Sequence, residues 1–438
     1  MDMEKIFEKR WVGPVIVLLL ILAVFIAYSN TIHWAFQFDD ETIITKNLSL
    51  RDLSNLPVIL KGARGLTMAT FALNYAAGGF DTTGYHLVNI SIHAVNSVLA
   101  YLLILNILKL TGAAPGRSRK IAAFAALIFA LHPVQIQAVT YIVQRMESLA
   151  GLFFLLGVLF FSWGATAQSP IRRFLLYFFV PVLYVLGFYS KEVAITLPAV
   201  ILLYDFYFVS KGKAGGVLGR WPLYLVLAVL LAFFAVNTVV PKGGFNDMSK
   251  EASMAVQAPA KEGTAERERP RGLLKKVPTA GFGVTSMTPW EYFLTQSNVV
   301  LYYYSLLLVP VNQNVDYDFP ISRGLFETPR PRPGAVLNIW LPPPVVSILI
   351  HISIIVLAGF LFMRSRNGGD QRWRVVSFFI FWFFILLAPT SSFVPIVDVI
   401  FEHRLYLSTL AYSVILVLCL EALLKRLLGP GDAGTKAR

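Results

Sequence analysis

Charged residues and cysteines are both scarce in this sequence, and each scarcity excludes a class of protein. Only 14% of the 438 residues are Asp, Glu, Lys or Arg, whereas a soluble domain carries about a quarter. Cys419 is the only cysteine, so an intrachain disulfide and a cysteine-ligated metal cluster are excluded. The sequence also contains no glycine-rich phosphate loop, Ser-His-Asp set or nucleotide-binding βαβ unit, which argues against a nucleotide-binding site.

Long apolar runs take the place of those charges. Hydrophobic residues make up 56% of the chain, with a mean hydropathy of +0.64, and a run of about 20 apolar residues can cross a bilayer as a helix. The pattern predicts an all-α, polytopic helical membrane protein with ten spans. The runs fall near 12–29, 88–108, 121–138, 148–165, 174–189, 193–209, 222–240, 344–363, 375–389 and 407–424.

The basic residues predict the topology. The net charge of +13 does not indicate nucleic-acid binding, because the basic residues are spread over short connections, as the positive-inside rule requires. The first run follows Lys5, Lys9 and Arg10 without a cleavage site after it, which predicts a retained anchor. Ten spans then place both termini inside, together with the basic connections 116–120, 171–173, 211–220, 364–374 and 425–426.

One segment makes the count of spans uncertain at the sequence level. Residues 290–309 are apolar enough for an eleventh span, but a crossing there would move the basic connection 364–374 to the outer side. The segment also carries Glu291, Gln296 and Asn298. We therefore predict a helix that lies at the outer interface or dips partly into the membrane.

The predicted spans define a single domain over residues 1–430 with two large outer loops. The first loop runs from about 30 to 87 and the second from about 241 to 343. The part 241–289 is rich in Lys, Glu, Gly, Ala and Pro, a composition typical of mobile segments. Residues 431–438 are predicted to be a disordered tail.

Polar residues in the outer segments differ from those in the inner connections. They are a mixture of acids, bases, His and Asn placed at the ends of apolar runs, where charge is expensive and usually functional. Several separate segments bring such groups to one membrane level, which predicts a single site at the outer leaflet. The residues are Asp39, Asp40, Glu41, Arg64, Asn74, His86, Asn89, His132, Arg145, Glu147, Lys191, Glu192, Asp316, Asp318, Glu402, His403 and Arg404.

The acids in the stretch HWAFQFDDET, residues 33–42, allow two interpretations. Asp39, Asp40 and Glu41 follow the first span, and a carboxylate there can accept a proton from a hydroxyl or hold a divalent cation. The alternative is a solvated cap at the end of a helix. The apolar flanks of the stretch favour a partly buried position and hence the first interpretation.

The cations and histidines also have alternatives. Arg145 lies beside Glu147, Lys191 beside Glu192, and Arg404 after His403, and Arg or Lys at this depth suits the phosphate of a lipid carrier. The alternative is that these side chains extend to the interface. Three histidines near helix ends are better explained as hydrogen-bonded core residues, although the first and last also fit the outer site: His86, His93 and His132.

The outer segments resemble a known family. FDDE is similar to the acidic motif in the first outer loop of GT-C glycosyltransferases. The segment beginning ARGLTMATF resembles the transmembrane and tetratricopeptide-repeat O-mannosyltransferases and their bacterial relatives, and LHPVQIQAVTYIVQRMES, SKEVAITLPAVILLYDF, EYFLTQSNVVLYYYSLLLVPVNQNVDYDFP and EHRLYLS continue the likeness in the same order. The resemblance covers about 30–425. Two features depart from the family: Arg64-Gly65-Leu66 replaces Arg-Pro-Leu, and no tetratricopeptide array follows the last run.

The resemblance implies an inverting GT-C glycosyltransferase whose donor is a sugar on a polyprenyl phosphate. The acceptor is a hydroxyl on a protein or glycolipid, and the expected location is a bacterial inner membrane with the site facing the periplasm. Asp39, with Asp40 as second choice, is the expected base. The expected phosphate-binding cations are Arg145, Lys191, Arg404 and Arg64, and the expected supporting residues are Glu41, His86, Glu147, Glu192 and His403.

Other functions remain open at this stage. A flippase or transporter of lipid-linked sugars also needs a lipid groove and basic residues, but transporters place ionisable groups near the midplane, often in repeated halves. A non-catalytic scaffold is the third alternative. The sequence does not identify the sugar or the acceptor, and it does not decide whether a divalent metal ion takes part.

Overall fold

The computed structural model describes residues 3–239, 284, 286–330, 340–366 and 369–427. Within these residues the chain is helical and contains no β-strand, which confirms the predicted all-α class. The α-helices in this part of the chain are α1 Met3–Glu8, α2 Val12–Tyr28, α3 Leu56–Ile59, α4 Gly65–Gly78, α5 Thr82–Leu110, α6 Pro115–Leu131, α7 Ile136–Thr140, α8 Arg145–Thr166, α9 Pro170–Ser190, α10 Leu197–Tyr204, α11 Ala214–Leu218, α12 Trp221–Val239, α13 Pro289–Leu308, α14 Pro344–Arg366, α15 Arg372–Leu387 and α16 Ser408–Leu427.

Several helical segments are long and apolar enough to cross a membrane, so this is a multi-pass membrane protein. Within the described residues six segments qualify, and α6 with the segment Pro133–Thr140, bent by 51°, makes up to seven. The predicted number of ten is not confirmed, since α15, for example, has only 16 residues. The six are Val12–Thr31, Thr82–Leu110, Ile142–Thr166, Pro170–Ser190, Glu192–Val209 and Pro344–Arg366.

The segment predicted to lie at the interface forms helix α13, and it is packed inside the protein. Gln296 donates to the backbone carbonyl of Val399 at 2.7 Å, and the Asn298 amide accepts from the Ser347 hydroxyl at 2.5 Å. These polar side chains find their partners within the protein rather than in water. The sequence pattern alone could not show this, because a polar residue that faces a protein partner looks the same as one that faces the membrane surface.

The bundle has two chemically different ends. Helices α5 and α8 run parallel. Arg145 of α8 bonds Asn89 of α5 near the start of both helices, and Asn106 of α5 bonds Ser162 of α8 near the end of both. The end near their last turns collects basic side chains. There Arg117 forms a forked ion pair with Glu421 of α16 at 2.7 Å, and Arg119 donates to the backbone carbonyls of Phe7 and Lys9 at the end of α1. The opposite end carries the acidic stretch.

The first predicted outer loop folds into a small helical unit at that opposite end. It contains α3, α4 and a π-helical turn, Glu41–Thr45. Burial of apolar side chains holds this unit together. The packed unit therefore fixes the positions of residues 39–64. The predicted mobile part 241–289 lies mostly outside the described residues, as does the tail 431–438. The buried apolar residues of the unit are Ile44, Leu50, Ile59, Ala69, Phe71, Ala72, Tyr85 and Ile142.

Candidate active site

Asp40 is the buried member of the acidic stretch. Its side chain is 1% exposed, and its two carboxylate oxygens accept the backbone N–H groups of Gln37 at 3.1 Å and Val143 at 2.7 Å. Burial raises the pKa of Asp40 to about 6, although these two hydrogen bonds oppose the rise. Asp40 therefore ties the first loop to the segment that precedes α8.

We expect the Asp40→Asn variant to lose a pH dependence of stability that the wild-type protein has. The pKa of Asp40 in the folded protein exceeds its ordinary value of 3.8, so the folded form binds this proton more tightly than the unfolded chain. Stability should therefore fall as the pH rises from about 4 to about 6, by up to about 3 kcal/mol.

Thermal unfolding in detergent across this pH range measures the effect. Because the Asn NH2 group would face one of the two backbone N–H donors, the Asp40→Asn variant should also be less stable than the wild-type protein. An equal slope of melting temperature against pH in both proteins would contradict the role assigned to Asp40.

Asp39 is the exposed member of the pair. Its backbone N–H donates to the Tyr141 hydroxyl at 2.8 Å, and burial raises the pKa of Tyr141, with the charges of both aspartates adding to the rise. Phe38 adopts φ 45°, a region that residues with a side chain rarely occupy. This turn leaves the Asp39 carboxylate at the surface while the next side chain is buried.

Arg64 and Glu192 form a forked ion pair between the first loop and the turn after α9. The Arg64 Nε donates to Oε1 of Glu192 at 2.9 Å, and Nη2 donates to Oε2 at 2.9 Å. Arg64 adopts φ 53°. A Cβ atom at Gly65 would lie 2.5 Å from the Ile59 carbonyl oxygen, so any residue with a side chain would force the backbone to shift here.

Lys191 pairs with Glu147 in a more enclosed position. Its Nζ lies 2.7 Å from the Glu147 carboxylate and 3.0 Å from the Gln144 side-chain oxygen. Burial lowers the pKa of Lys191, and the adjacent Glu147 opposes that change. The lysine is held by two acceptors beside the Arg64–Glu192 pair, since Lys191 and Glu192 are consecutive residues.

Arg404 is anchored by backbone carbonyl groups. Its Nη2 donates to the Asp398 carbonyl at 2.7 Å and its Nη1 to the Val399 carbonyl at 2.9 Å. These contacts are with uncharged oxygens, so the positive charge of Arg404 is not neutralised by them. The side chain lies over the ring of Phe401, with the guanidinium carbon 5.4 Å from the ring centre.

Glu402 lines a cavity of about 200 Å³ at this end of the bundle. Its carboxylate accepts hydrogen bonds from Gln313, from the Asn314 backbone and from the Tyr317 hydroxyl, and burial raises its pKa. The carboxylate thereby fixes the segment that follows α13. The cavity is lined by Trp34, Ala35, Gln37, Phe38, Asp40, Ile136, Gln137, Thr140, Tyr141, Gln313, Asn314, Val315 and Glu402.

The Arg145 side chain makes its contacts inside the protein. It is fully buried, and its guanidinium donates to Asn89 and Asn74 at 2.6 Å and to the Tyr85 carbonyl at 3.0 Å. The guanidinium carbon also lies 4.6 Å from the centre of the Phe71 ring. These contacts lock the first turn of α8 to α4 and α5, so the structure favours a structural role for Arg145 over the predicted phosphate contact.

Several other predicted residues also serve the fold. Glu41 forms an ion pair with Lys46 at 2.9 Å, and both side chains are more than half exposed. His86 and His132 each bond a backbone carbonyl at 3.0 Å. His93 bonds a tyrosine hydroxyl and a carbonyl, both at 2.9 Å. These three histidines fit the prediction of hydrogen-bonded core residues.

The structure brings five predicted residues to this end of the bundle, and we call them the outer cluster: Asp39, Arg64, Lys191, His403 and Arg404. Three residues of one short segment contact the cluster, since Tyr141 binds the Asp39 backbone, Gln144 binds Lys191 and Gln137 binds His403. Arg64 joins them through Glu192, the residue after Lys191. Among the described residues, no three or more His, Cys, Asp or Glu side chains are placed to hold a metal ion.

Sequence reasoning missed three polar residues beside the outer cluster. Gln137 contacts His403, Tyr141 contacts the Asp39 backbone, and Gln144 contacts Lys191. All three lie in the stretch LHPVQIQAVTYIVQRMES. Their signal was an uncharged polar residue within an apolar segment, which is weaker than the signal of a charge.

The fold and the site define a class: a multi-pass helical membrane protein with carboxylates and cations gathered at the end of the bundle opposite its basic connections. Comparison with known proteins identifies relatives of this chain. The chain is 34% identical over 163 residues to protein O-mannosyl-transferase Tmtc1 of Drosophila melanogaster, covering 32% of this chain and 18% of that protein. It is 26% identical over 377 residues to protein O-mannosyl-transferase TMTC1 of Homo sapiens, covering 82% of this chain and 38% of that protein.

A third relative gives the same result. The chain is 28% identical over 214 residues to protein O-mannosyl-transferase TMTC3 of Homo sapiens, covering 44% of this chain and 22% of that protein. The resemblance to the O-mannosyltransferases is therefore confirmed, and the chain spans well under half the length of these relatives. No family model matches the chain, and no solved structure matches it.

Proposed function

We propose that this protein is an inverting GT-C glycosyltransferase that moves a sugar from a polyprenyl phosphate to a protein hydroxyl outside the cytoplasm. The carrying observation is the outer cluster, in which an exposed carboxylate, Asp39, lies between two residues that line a cavity, Phe38 and Asp40. The relatives' names, protein O-mannosyl-transferase, support mannose as the sugar and protein as the acceptor. The basic connections at the opposite end support the sidedness.

In this proposal Asp39 accepts the proton of the acceptor hydroxyl as its oxygen attacks the anomeric carbon. A new carbon–oxygen bond forms, and the bond to the phosphate oxygen breaks on the opposite face. The lipid phosphate leaves with the bonding electrons, and Arg64, Lys191 and Arg404 stabilise its charge. Arg145 acts from a distance by fixing the start of α8.

We further propose a bacterial inner membrane as the location and leave a divalent cation as an optional partner of the carboxylates.

A transfer assay tests this proposal. Purified protein, a short-chain polyprenyl-phosphate mannose and a Ser/Thr-containing peptide should give a peptide heavier by one hexose in mass spectrometry. The Arg64→Gln variant should lose at least tenfold in transfer rate, because it removes a charge beside the departing phosphate.

Arg172→Gln is the matched control, since Arg172 is an exposed cation at the opposite end. It should retain the wild-type rate. Movement of labelled lipid between leaflets without any glycosylated product would instead indicate a flippase. If none of the hydroxyl acceptors gives a glycosylated product, the transferase proposal is wrong.

A further inference from the structure

His403 is held in one tautomer by a single contact. The Gln137 side-chain oxygen lies 2.7 Å from the His403 backbone nitrogen and 3.0 Å from Nδ1. A backbone N–H can only donate, so the Gln137 atom that faces it must be the oxygen rather than the amide nitrogen. The Gln137 nitrogen donates in the opposite direction, to the Val315 carbonyl. Because the shared atom is an acceptor, Nδ1 must carry a proton.

This tautomer leaves a lone pair on Nε2. Burial lowers the pKa of His403 well below its ordinary value, and the charges of Lys191, Arg404 and Arg64 add to that effect. The imidazole is therefore neutral, with Nδ1 as donor and Nε2 as acceptor. Within the part of the chain that the structure describes, Nε2 has no hydrogen-bond partner, and it is not among the unpartnered atoms that are sealed from solvent.

The chemistry of Nε2 restricts what it can bind. A phosphodiester oxygen accepts hydrogen bonds and cannot donate one, so the phosphate goes to the neighbouring cations rather than to Nε2. The ligand of Nε2 must carry a donor, and a hydroxyl meets that requirement. In an inverting displacement the acceptor hydroxyl arrives opposite the phosphate. His403 directly precedes Arg404 in the chain, so we place its ring on the donor side, where the sugar hydroxyls are the available hydrogen-bond donors.

We propose that Nε2 of His403 accepts a hydrogen bond from the donor-sugar hydroxyl next to the anomeric carbon. This inference rests on the proposed function and assigns His403 a role in sugar recognition. Phe401 supports the ring orientation, because the two rings stack with centres 5.0 Å apart. Gln137 lines the cavity and also fixes the imidazole, so it links the cavity wall to the sugar contact.

Two substitutions separate the two ring nitrogens. The His403→Asn variant keeps a donor near the Nδ1 position, toward Gln137, and removes the Nε2 acceptor. The His403→Gln variant places an amide oxygen near the Nε2 position and gives up the Nδ1 contact. With the complete mannose donor, the Asn variant should lose about tenfold in kcat/KM, and the Gln variant should lose clearly less.

A second donor makes the test specific. In this donor, hydrogen replaces the hydroxyl next to the anomeric carbon. The wild-type protein should lose about tenfold with it, whereas the Asn variant should lose little more, because its partner for that hydroxyl is already absent. A purely structural role of His403 would lower the rates with both donors by the same factor, and that result would overturn the inference.

The inference and the proposed function can fail separately. Wild-type transfer together with an Asn variant that matches the wild-type rate would overturn only the inference. Absence of transfer by the wild-type protein would overturn the proposed function and the inference with it. If the Asn variant melts at a lower temperature than the wild-type protein, the Gln variant decides, because it keeps an acceptor near the Nε2 position. Its rate should fall clearly when the donor lacks that hydroxyl, and equal rates with the two donors would contradict the sugar contact.

Discussion

The Asp39→Asn variant should lose about 10²- to 10⁴-fold in kcat, the range that a general base contributes. Asparagine has nearly the shape of aspartate but cannot accept the proton of the acceptor hydroxyl. The fold should be retained, because the Asp39 side chain is exposed and the contact that fixes this turn is made by its backbone N–H to Tyr141. Transfer rates at saturating donor and acceptor, with melting temperature measured in parallel, check this result.

The neighbouring residue supplies the matched control. Asp40→Asn changes the same functional group one position later, but that carboxylate is buried and bonded to two backbone N–H groups. It should lower stability more than Asp39→Asn does and should retain more of the transfer rate per folded molecule. The reverse pattern, with Asp39→Asn active and Asp40→Asn folded but inactive, would move the base to Asp40.

The sequence could predict that this acidic stretch matters but could not decide between its members. Asp39 and Asp40 are the same residue type in the same apolar surroundings. Their difference comes from the positive φ of Phe38 and from the backbone N–H of Val143, a partner 103 positions away. A tertiary contact of this kind leaves no mark on the local pattern.

The sequence also could not distinguish the roles of the cations. Arg145 and Arg64 look alike in sequence, since each is an arginine at the border of a largely apolar segment. In the structure Arg145 is enclosed by Asn74, Asn89 and aromatic rings, whereas Arg64 remains partly exposed on Glu192. The pairs Lys191–Glu147 and Arg64–Glu192 cross between segments, so the sequence shows their members but not their pairing.

The helical class, by contrast, was readable because it depends on composition summed over about 20 residues. Within the described residues, each predicted apolar run lies largely in helical structure. What the runs do not encode is how a helix is broken: residues 121–138 bend by 51° at His132, where the imidazole Nδ1 accepts the Val134 backbone N–H. That local hydrogen bond ends one helix and starts the next.

Removal of Lys191 should have the largest effect on stability. In Lys191→Met, the Glu147 carboxylate, only 2% exposed, would keep its charge without the partner that now lies 2.7 Å away. A buried pair that loses one member costs about 3–5 kcal/mol. Thermal unfolding in detergent should therefore show a large drop in melting temperature, and the expressed protein should be less abundant.

The double variant Lys191→Met with Glu147→Leu separates stability from function. Replacing both charges with apolar side chains of similar size removes the unpaired carboxylate, so most of the lost stability should return. Sugar transfer should not return with it, because the cation that we assign to the departing phosphate is still missing. Removing an exposed pair instead, by Lys46→Met with Glu41→Leu, should change neither property measurably, since exposed pairs contribute little. If the Lys191→Met, Glu147→Leu protein is stable and fully active, Lys191 serves only to neutralise Glu147, and the phosphate contact must be reassigned to Arg64 and Arg404.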